Sequence, residues 1–143
     1  EDYFHVIDQL NIKIAAKREA FARMCFNVLA FNKDDHVKNF GFLMSHDGDW
    51  DLSPAFDLSY AHNTAFGAWT RSQQMSVNGK REAITTDDLI ACGRNCNVGT
   101  LPKLKSILNQ VSEAIVQWPT HAESAGVPPQ RIDAIQAVLK RDQ

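Results

Sequence analysis

Apolar residues recur at intervals of three and four along most of this chain, and the places where that rhythm breaks divide it into elements. Phe4, Ile7 and Leu10 mark a first short helix. A stronger stripe runs from about Ala15 to Phe31, with Phe21, Met24, Cys25, Val28 and Leu29 on one face. It stops at "NKDDH", whose Asn and Asp side chains favour turns over helix interiors. Two short apolar stretches, near residues 40–44 and 50–53, then flank "HDGD", and Asp-Gly between such stretches signals a hairpin. Pro54 ends the second strand, and "AFDLSYAHN" leads into an irregular stretch rich in small and polar residues. A second hairpin is predicted at "QMSVNGKREAI", where Asn78-Gly79 suits a type I′ turn.

The last third is predicted to be helical. "TTDDLIACG" opens a short helix that Thr85 or Thr86 caps, with acids at its positive end and Gly93 placed to stop it. Leu101, Leu104, Leu108, Val111, Ile115 and Trp118 form a longer stripe, with Pro102 in the first turn and Pro119 closing it. A final helix begins near Pro129 and buries Ile132, Ile135, Val138 and Leu139, while Lys103, Lys105, Arg131 and Lys140 form solvated faces. The predicted fold is mainly α with two small β-hairpins.

Composition narrows the class. A chain of 143 residues with 44% hydrophobic and 22% charged positions is an ordinary one-domain globular protein. A net charge of −2 and the lack of a long basic run argue against a dedicated nucleic-acid module. No apolar run approaches the roughly 20 residues of a membrane span, and no signal peptide opens the chain. The chain does not begin with Met, which suggests a piece cut from a longer protein. Cys25, Cys92 and Cys96 are too few and too oddly numbered for a disulfide framework. Cys25 reads as a buried small hydrophobe, and Cys92 and Cys96 lack the second Cys or His pair of a zinc site. A reducing, cytoplasmic location is expected.

The densest chemistry lies in "FNKDDHVKNF". Asp34, His36 and Asn39 form D-x-H-x-x-N, with Lys38 just before the Asn. If residues 40–44 pair with 50–54, the hairpin carries the chain out and back, and Asp57 is delivered beside Asn39. Such a cluster suits phosphoryl transfer. That reaction needs a carboxylate to orient and deprotonate the attacking hydroxyl, and hard oxygen ligands for magnesium. In protein kinases the base and one metal ligand are spaced Asp-x-x-x-x-Asn, and a second metal-binding Asp follows a hairpin. Asp34 and Asn39 have that interval, and Asp57 has the later place, followed by Leu-Ser rather than Phe-Gly. His36 can bond the loop or meet a phosphate, and Lys38 can neutralise the transferred group. Asp35 reads as a turn residue. Two other classes stay open: a pseudokinase-like interaction module, and a metal-dependent hydrolase using Asp34, Asp35, His36 and Asp57.

"FNVLAFNKDDHVKNFGFLM", followed by "WDLSPAFDLSYA", resembles the C-terminal kinase region of the HipA family. These are the serine/threonine-kinase toxins of bacterial toxin–antitoxin pairs. "MSVNGKREAITTDDL" resembles that family's Met-x-x-x-x-Gly-Lys hairpin and following helix, so the likeness spans about Phe21 to Leu89. It implies the C-lobe of a protein-kinase-like fold that uses ATP and Mg2+. Asp34 would be the catalytic base, His36 and Lys38 would lie along the ATP phosphates, and Asn39 with Asp57 would hold magnesium. Phe56 and Leu58 would shape the nucleotide pocket. The implied partners are a protein substrate, in the best-known cases an aminoacyl-tRNA synthetase, and a DNA-binding antitoxin that restrains the kinase. Phosphorylation of the synthetase halts translation and promotes dormancy, or persistence. A working kinase also needs a phosphate-covering loop and a strand-borne lysine paired with a glutamate. The residues before Asp34 cannot supply them, so residues 1–143 are read as a C-lobe without its N-lobe, inactive alone.

Overall fold

A computed structural model describes residues 1–63, 65 and 69–140, and these described residues form six helices and one two-stranded antiparallel hairpin. In chain order the elements are α1 (Asp2–Gln9), α2 (Ile14–Leu29), β1 (Phe42–Met44), β2 (Trp50–Leu52), α3 (Thr86–Asn95), α4 (Leu101–Val116), α5 (Trp118–Ser124) and α6 (Pro129–Leu139). Short 3₁₀ turns lie at Val37–Asn39 and Trp69–Arg71. Part of the irregular stretch expected after residue 60, at 64 and 66–68, falls outside the described residues.

Two hydrophobic cores share α2 and α4. The larger gathers Phe4 and Ile7 of α1, Phe21 and Cys25 of α2, Leu89 and Cys92 of α3, and Leu104 and Leu108 of α4. The smaller joins Ala30 and Phe31 to Ile115, Ile135 and Leu139, with Tyr60 and Trp118 packed against it. The three cysteines are free and buried, which for Cys25 fits its reading as a small hydrophobe. Burial pushes the Cys92 thiol up to about 12.

Helix ends follow local chemistry. Thr85 caps α3 in a capping box: its Oγ1 accepts from Asp88 N at 3.3 Å, and Asp88 Oδ2 accepts from Thr85 N at 2.9 Å. Gly93 does not stop α3, which continues to Asn95. The stop comes from Asn97, in the left-handed region at φ 53°, where Asn97 N donates to Arg94 O at 3.0 Å and Val98 N to Gly93 O at 2.9 Å. Gly93 serves packing instead. A Cβ there would lie 2.7 Å from Phe21 Cε2 and 2.8 Å from Leu104 Cδ2, so α3 touches α2 and α4 where a side chain is missing. Pro119 likewise does not close α4, which ends at Val116; it sits in the first turn of α5, a helix the periodicity missed.

The hairpin pairs Phe42 with Leu52, Leu43 with Asp51 and Met44 with Trp50, as the Asp47-Gly48 signal implied. The second predicted hairpin is reduced to its turn. Asn78 and Gly79 both have positive φ, at 50° and 75°, and Val77 and Lys80 exchange backbone bonds, but no ladder extends beyond them. The upstream flank is committed elsewhere: the Gln74 and Met75 amides donate to Asp35 Oδ1, at 2.6 and 3.3 Å. A strand cannot use the same N–H groups twice.

This turn docks on the start of α3. Asn78 Nδ2 and Lys80 Nζ both donate to the buried Asp88 carboxylate, each at 2.9 Å. The Thr85 amide, with Asn78 and Lys80, holds that carboxyl well below its ordinary value. A carboxyl lowered on folding contributes stability that is complete above about pH 4 and drains away as pH falls toward the folded value. Asp35, which burial pushes up, acts in the opposite sense, but equally in any Asp88 variant. Asp88→Asn is therefore expected to melt below wild type at pH 6, with the gap closing steadily below about pH 4. Melting curves across pH 2–6 test this; a gap that stays constant rules it out.

Candidate functional site

The site is built where α2 gives way to the hairpin. Phe31, just past α2, takes the left-handed conformation at φ 55° while buried in the smaller core. A bulky residue there is strained by roughly 1–3 kcal/mol, and surrounding contacts must impose it. Ala61 N donates to Phe31 O at 3.1 Å and Lys33 N to Ala61 O at 3.0 Å, so the chain leaving α2 runs alongside residue 61.

Beneath this crossing lies a buried amide cluster. Asn32, only 1% exposed, donates through Nδ2 to Asn27 Oδ1 at 2.9 Å and to Asp57 O at 3.2 Å. Gln73 Nε2 donates to Asn32 O at 3.1 Å and to Asn27 O at 3.4 Å. Buried amides stay favourable where they find partners, and the hydrogen bonds here draw on three distant parts of the chain, while Asn32 Oδ1 has no partner among the described residues.

Asp34, Asp35, His36, Lys38 and Asn39 sit on the loop above. Asn39 Nδ2 donates to Asp34 O at 2.9 Å, which couples the two ends of the D-x-x-x-x-N interval and leaves the Asn39 oxygen for another partner. The Asp34 carboxylate is half-exposed, and His36 Nε2 stands 3.9 Å from its Oδ1, beyond hydrogen-bond length. Lys38 is exposed. Asp35 faces inward: buried, it accepts from the Gln74 and Met75 amides, and desolvation pushes its carboxyl up against the pull of those amides.

The segment after β2 folds back over the hairpin base. Ser53 N donates to Gly41 O at 3.0 Å, and Arg23 Nη1 of α2 donates to Ser53 O at 3.0 Å. Phe56 packs on Gly41, where a Cβ would come 3.3 Å from Phe56 Cε1 and 2.7 Å from Ser53 Oγ. Tyr3 of α1 supports the same place, its ring centroid 4.5 Å from that of Phe40 and 5.8 Å from that of Phe42. Asp57 is exposed with φ 53°, a region that Asp tolerates better than most residues. Asn32 holds its carbonyl, and its carboxylate has no hydrogen bond or ion pair among the described residues. Leu58 is partly exposed and borders a cavity of about 260 Å³ shared with Phe26, Tyr60, Ile115 and Trp118.

A family model for the HipA-like C-terminal domain matches residues 1–119. The chain belongs to that family. The HipA-like C-terminal domain is the kinase region of the HipA toxin family and a kinase-like C-lobe. The match takes in α1 through α4 and every loop residue named above, and ends before α6. No curated protein and no solved structure matches the chain.

Sequence reasoning missed several residues of this HipA-like domain's site. Asn27 was detectable in principle as an amide within an apolar stripe. Asn32 and Gln73 carried no local signal, because their partners lie up to 46 residues away. Trp69 carried none either, yet its Nε1 donates to Asp34 Oδ1 at 2.6 Å.

Proposed function

We propose that this domain is the catalytic lobe of a HipA-like toxin kinase that transfers the γ-phosphoryl group of ATP to a serine or threonine of a protein. The observation that carries the reading is the tethering of two segments. Asn39 binds the Asp34 backbone, and Asn32 binds the Asp57 backbone from the same loop. Asp34 takes the proton from the acceptor hydroxyl as its oxygen bonds to the γ-phosphorus and the bond to ADP breaks. His36 and Lys38 lie along the phosphates, and Lys38 neutralises their charge. Phe56 and Leu58 give the nucleotide an apolar surface.

The donors present fit magnesium. Asn39 keeps an amide oxygen and Asp57 an uncommitted, exposed carboxylate, both hard oxygen ligands. Two protein ligands suffice, because magnesium retains waters and phosphate oxygens for its other positions. When bound, the ion neutralises charge on the phosphates.

The hydrolase alternative fits less well. It needs Asp35, whose carboxylate is buried against two backbone amides. Among the described residues, moreover, no three His, Cys, Asp or Glu side chains are grouped to hold a metal.

These residues form one wall of an ATP cleft. Transfer also needs a phosphate-covering loop and a strand-borne lysine, so the isolated domain is expected to transfer no phosphate. The target is a cytoplasmic protein, with an aminoacyl-tRNA synthetase the leading candidate, and the restraining partner is a DNA-binding antitoxin. Radiolabelled ATP supplied to the full-length protein tests the reading. Asp57→Ala is expected to slow transfer at least tenfold at ordinary magnesium, with partial recovery at high magnesium. Unchanged phosphorylation in Asp57→Ala would reject the magnesium role of Asp57, and no transfer by the wild-type protein would support the pseudokinase-like reading instead.

A further inference from the structure

One contact at the base is not explained by the reaction above. Trp69 donates its indole N–H to Asp34 Oδ1 at 2.6 Å across 35 residues of chain, yet Trp69 is 65% exposed. A tryptophan so exposed buries little apolar surface, so packing does not account for its placement. Its backbone is nevertheless held. Gln74 Nε2 donates to Trp69 O at 2.8 Å, Lys33 Nζ to Arg71 O at 3.0 Å, and Gln74 N to Asp35 Oδ1 at 2.6 Å. Lys33 and Asp35 flank Asp34, so the stretch that presents the base also anchors the turn that presents the indole.

We infer that Trp69 is a positioning residue for Asp34. The inference rests on the reading of Asp34 as the catalytic base. A half-exposed carboxylate turns freely about two side-chain bonds, and a base is efficient only within hydrogen-bond reach of the proton it takes. Asn39 grips the Asp34 backbone, not its carboxylate, and His36 stands too far away at 3.9 Å. Among the described residues, the Trp69 indole is the donor that holds the carboxylate itself. It occupies one oxygen and leaves the other to accept the proton.

The test separates the N–H from the ring. In the full-length kinase, Trp69→Phe keeps an aromatic ring but loses the donor; kcat is expected to fall about tenfold with KM for ATP within twofold of wild type. Trp69→His is expected to recover much of the loss, because its Nε2 occupies the ring position of the indole Nε1. A purely structural role would not show that recovery.

A second readout needs no activity. In the ¹H–¹⁵N spectrum of the chain, the Trp69 indole signal, identified by its absence in Trp69→Phe, is expected to move upfield in Asp34→Ala while those of Trp50 and Trp118 stay put. An unmoved signal overturns the inference, as does a Trp69→Phe kcat within twofold of wild type or above it. Neither result touches the kinase reading. Transfer that survives Asp34→Asn overturns the base assignment, and the positioning role with it, even with the indole bond intact.

Discussion

Asp34→Asn in the full-length protein is expected to lower phosphate transfer about a thousandfold while ATP binding changes less than about threefold, within the range assigned to general bases. The replacement is nearly isosteric. Asn39 binds the backbone carbonyl of residue 34, so that bond survives. The Trp69 indole donates to Oδ1, which an Asn side chain also offers, so the second restraint survives too. What disappears is a group able to accept a proton near neutral pH. Nucleotide binding depends on other residues, so the loss should fall on kcat rather than on KM for ATP. Single-turnover transfer from radiolabelled ATP, with nucleotide affinity measured in parallel, checks both halves. A fall of less than tenfold would remove Asp34 from the role of base.

The largest expected effect on stability comes from Phe21→Ala. Phe21 has no exposed surface and lies where α2, α3 and α4 meet, against the notch left by Gly93. Truncating a buried Phe removes its transfer free energy and leaves a cavity, together worth about 3–5 kcal/mol. Against a total of roughly 5–15 kcal/mol for a domain, that is a large share. The melting temperature is expected to fall by about 10–15 °C for a chain of this length. The effect should reach the site, because α2 also carries Asn27 and Arg23, which hold Asn32 and Ser53. Circular-dichroism melts measure it. A drop under about 3 °C would mean that neighbouring side chains collapse into the space, and that the three helices do not depend on this ring.

A residue's role is legible in the sequence when its partner lies close along the chain. Asn78-Gly79 was legible as a type I′ turn because its backbone preference is local, whereas the strands expected on either side were not formed. Asp35 takes the Gln74 and Met75 amides from 39 and 40 residues away, and no strand signal can register that competition. Gly93 carries the sequence signal of a helix stop because Gly often is one; its use as the contact point of three helices emerges only once Phe21 and Leu104 are beside it. Pro119 was a boundary in both readings, but a proline suits a first turn as well as a termination, and the short α5 has too little periodicity to announce itself.

The candidate site divides in the same way. The bond between Asn39 and Asp34 spans five residues and lies within one motif, so the motif itself pointed to it. The ties from Asn32 to Asp57, from Gln73 to Asn27 and from Trp69 to Asp34 span 25 to 46 residues and depend on which loops the packed cores bring together.

By itself the sequence determined the helical framework apart from α5, the first hairpin and the residue types of the loop, because each is written in spacings of a few residues where propensity and periodicity act; the family followed from the likeness of its motifs. Only the tertiary structure decided that a buried amide cluster carries Asp57 and that an exposed tryptophan grips Asp34. Hydrogen bonds between distant segments are selected by the geometry of the whole packed chain, after the cost of closing the intervening loops has been met.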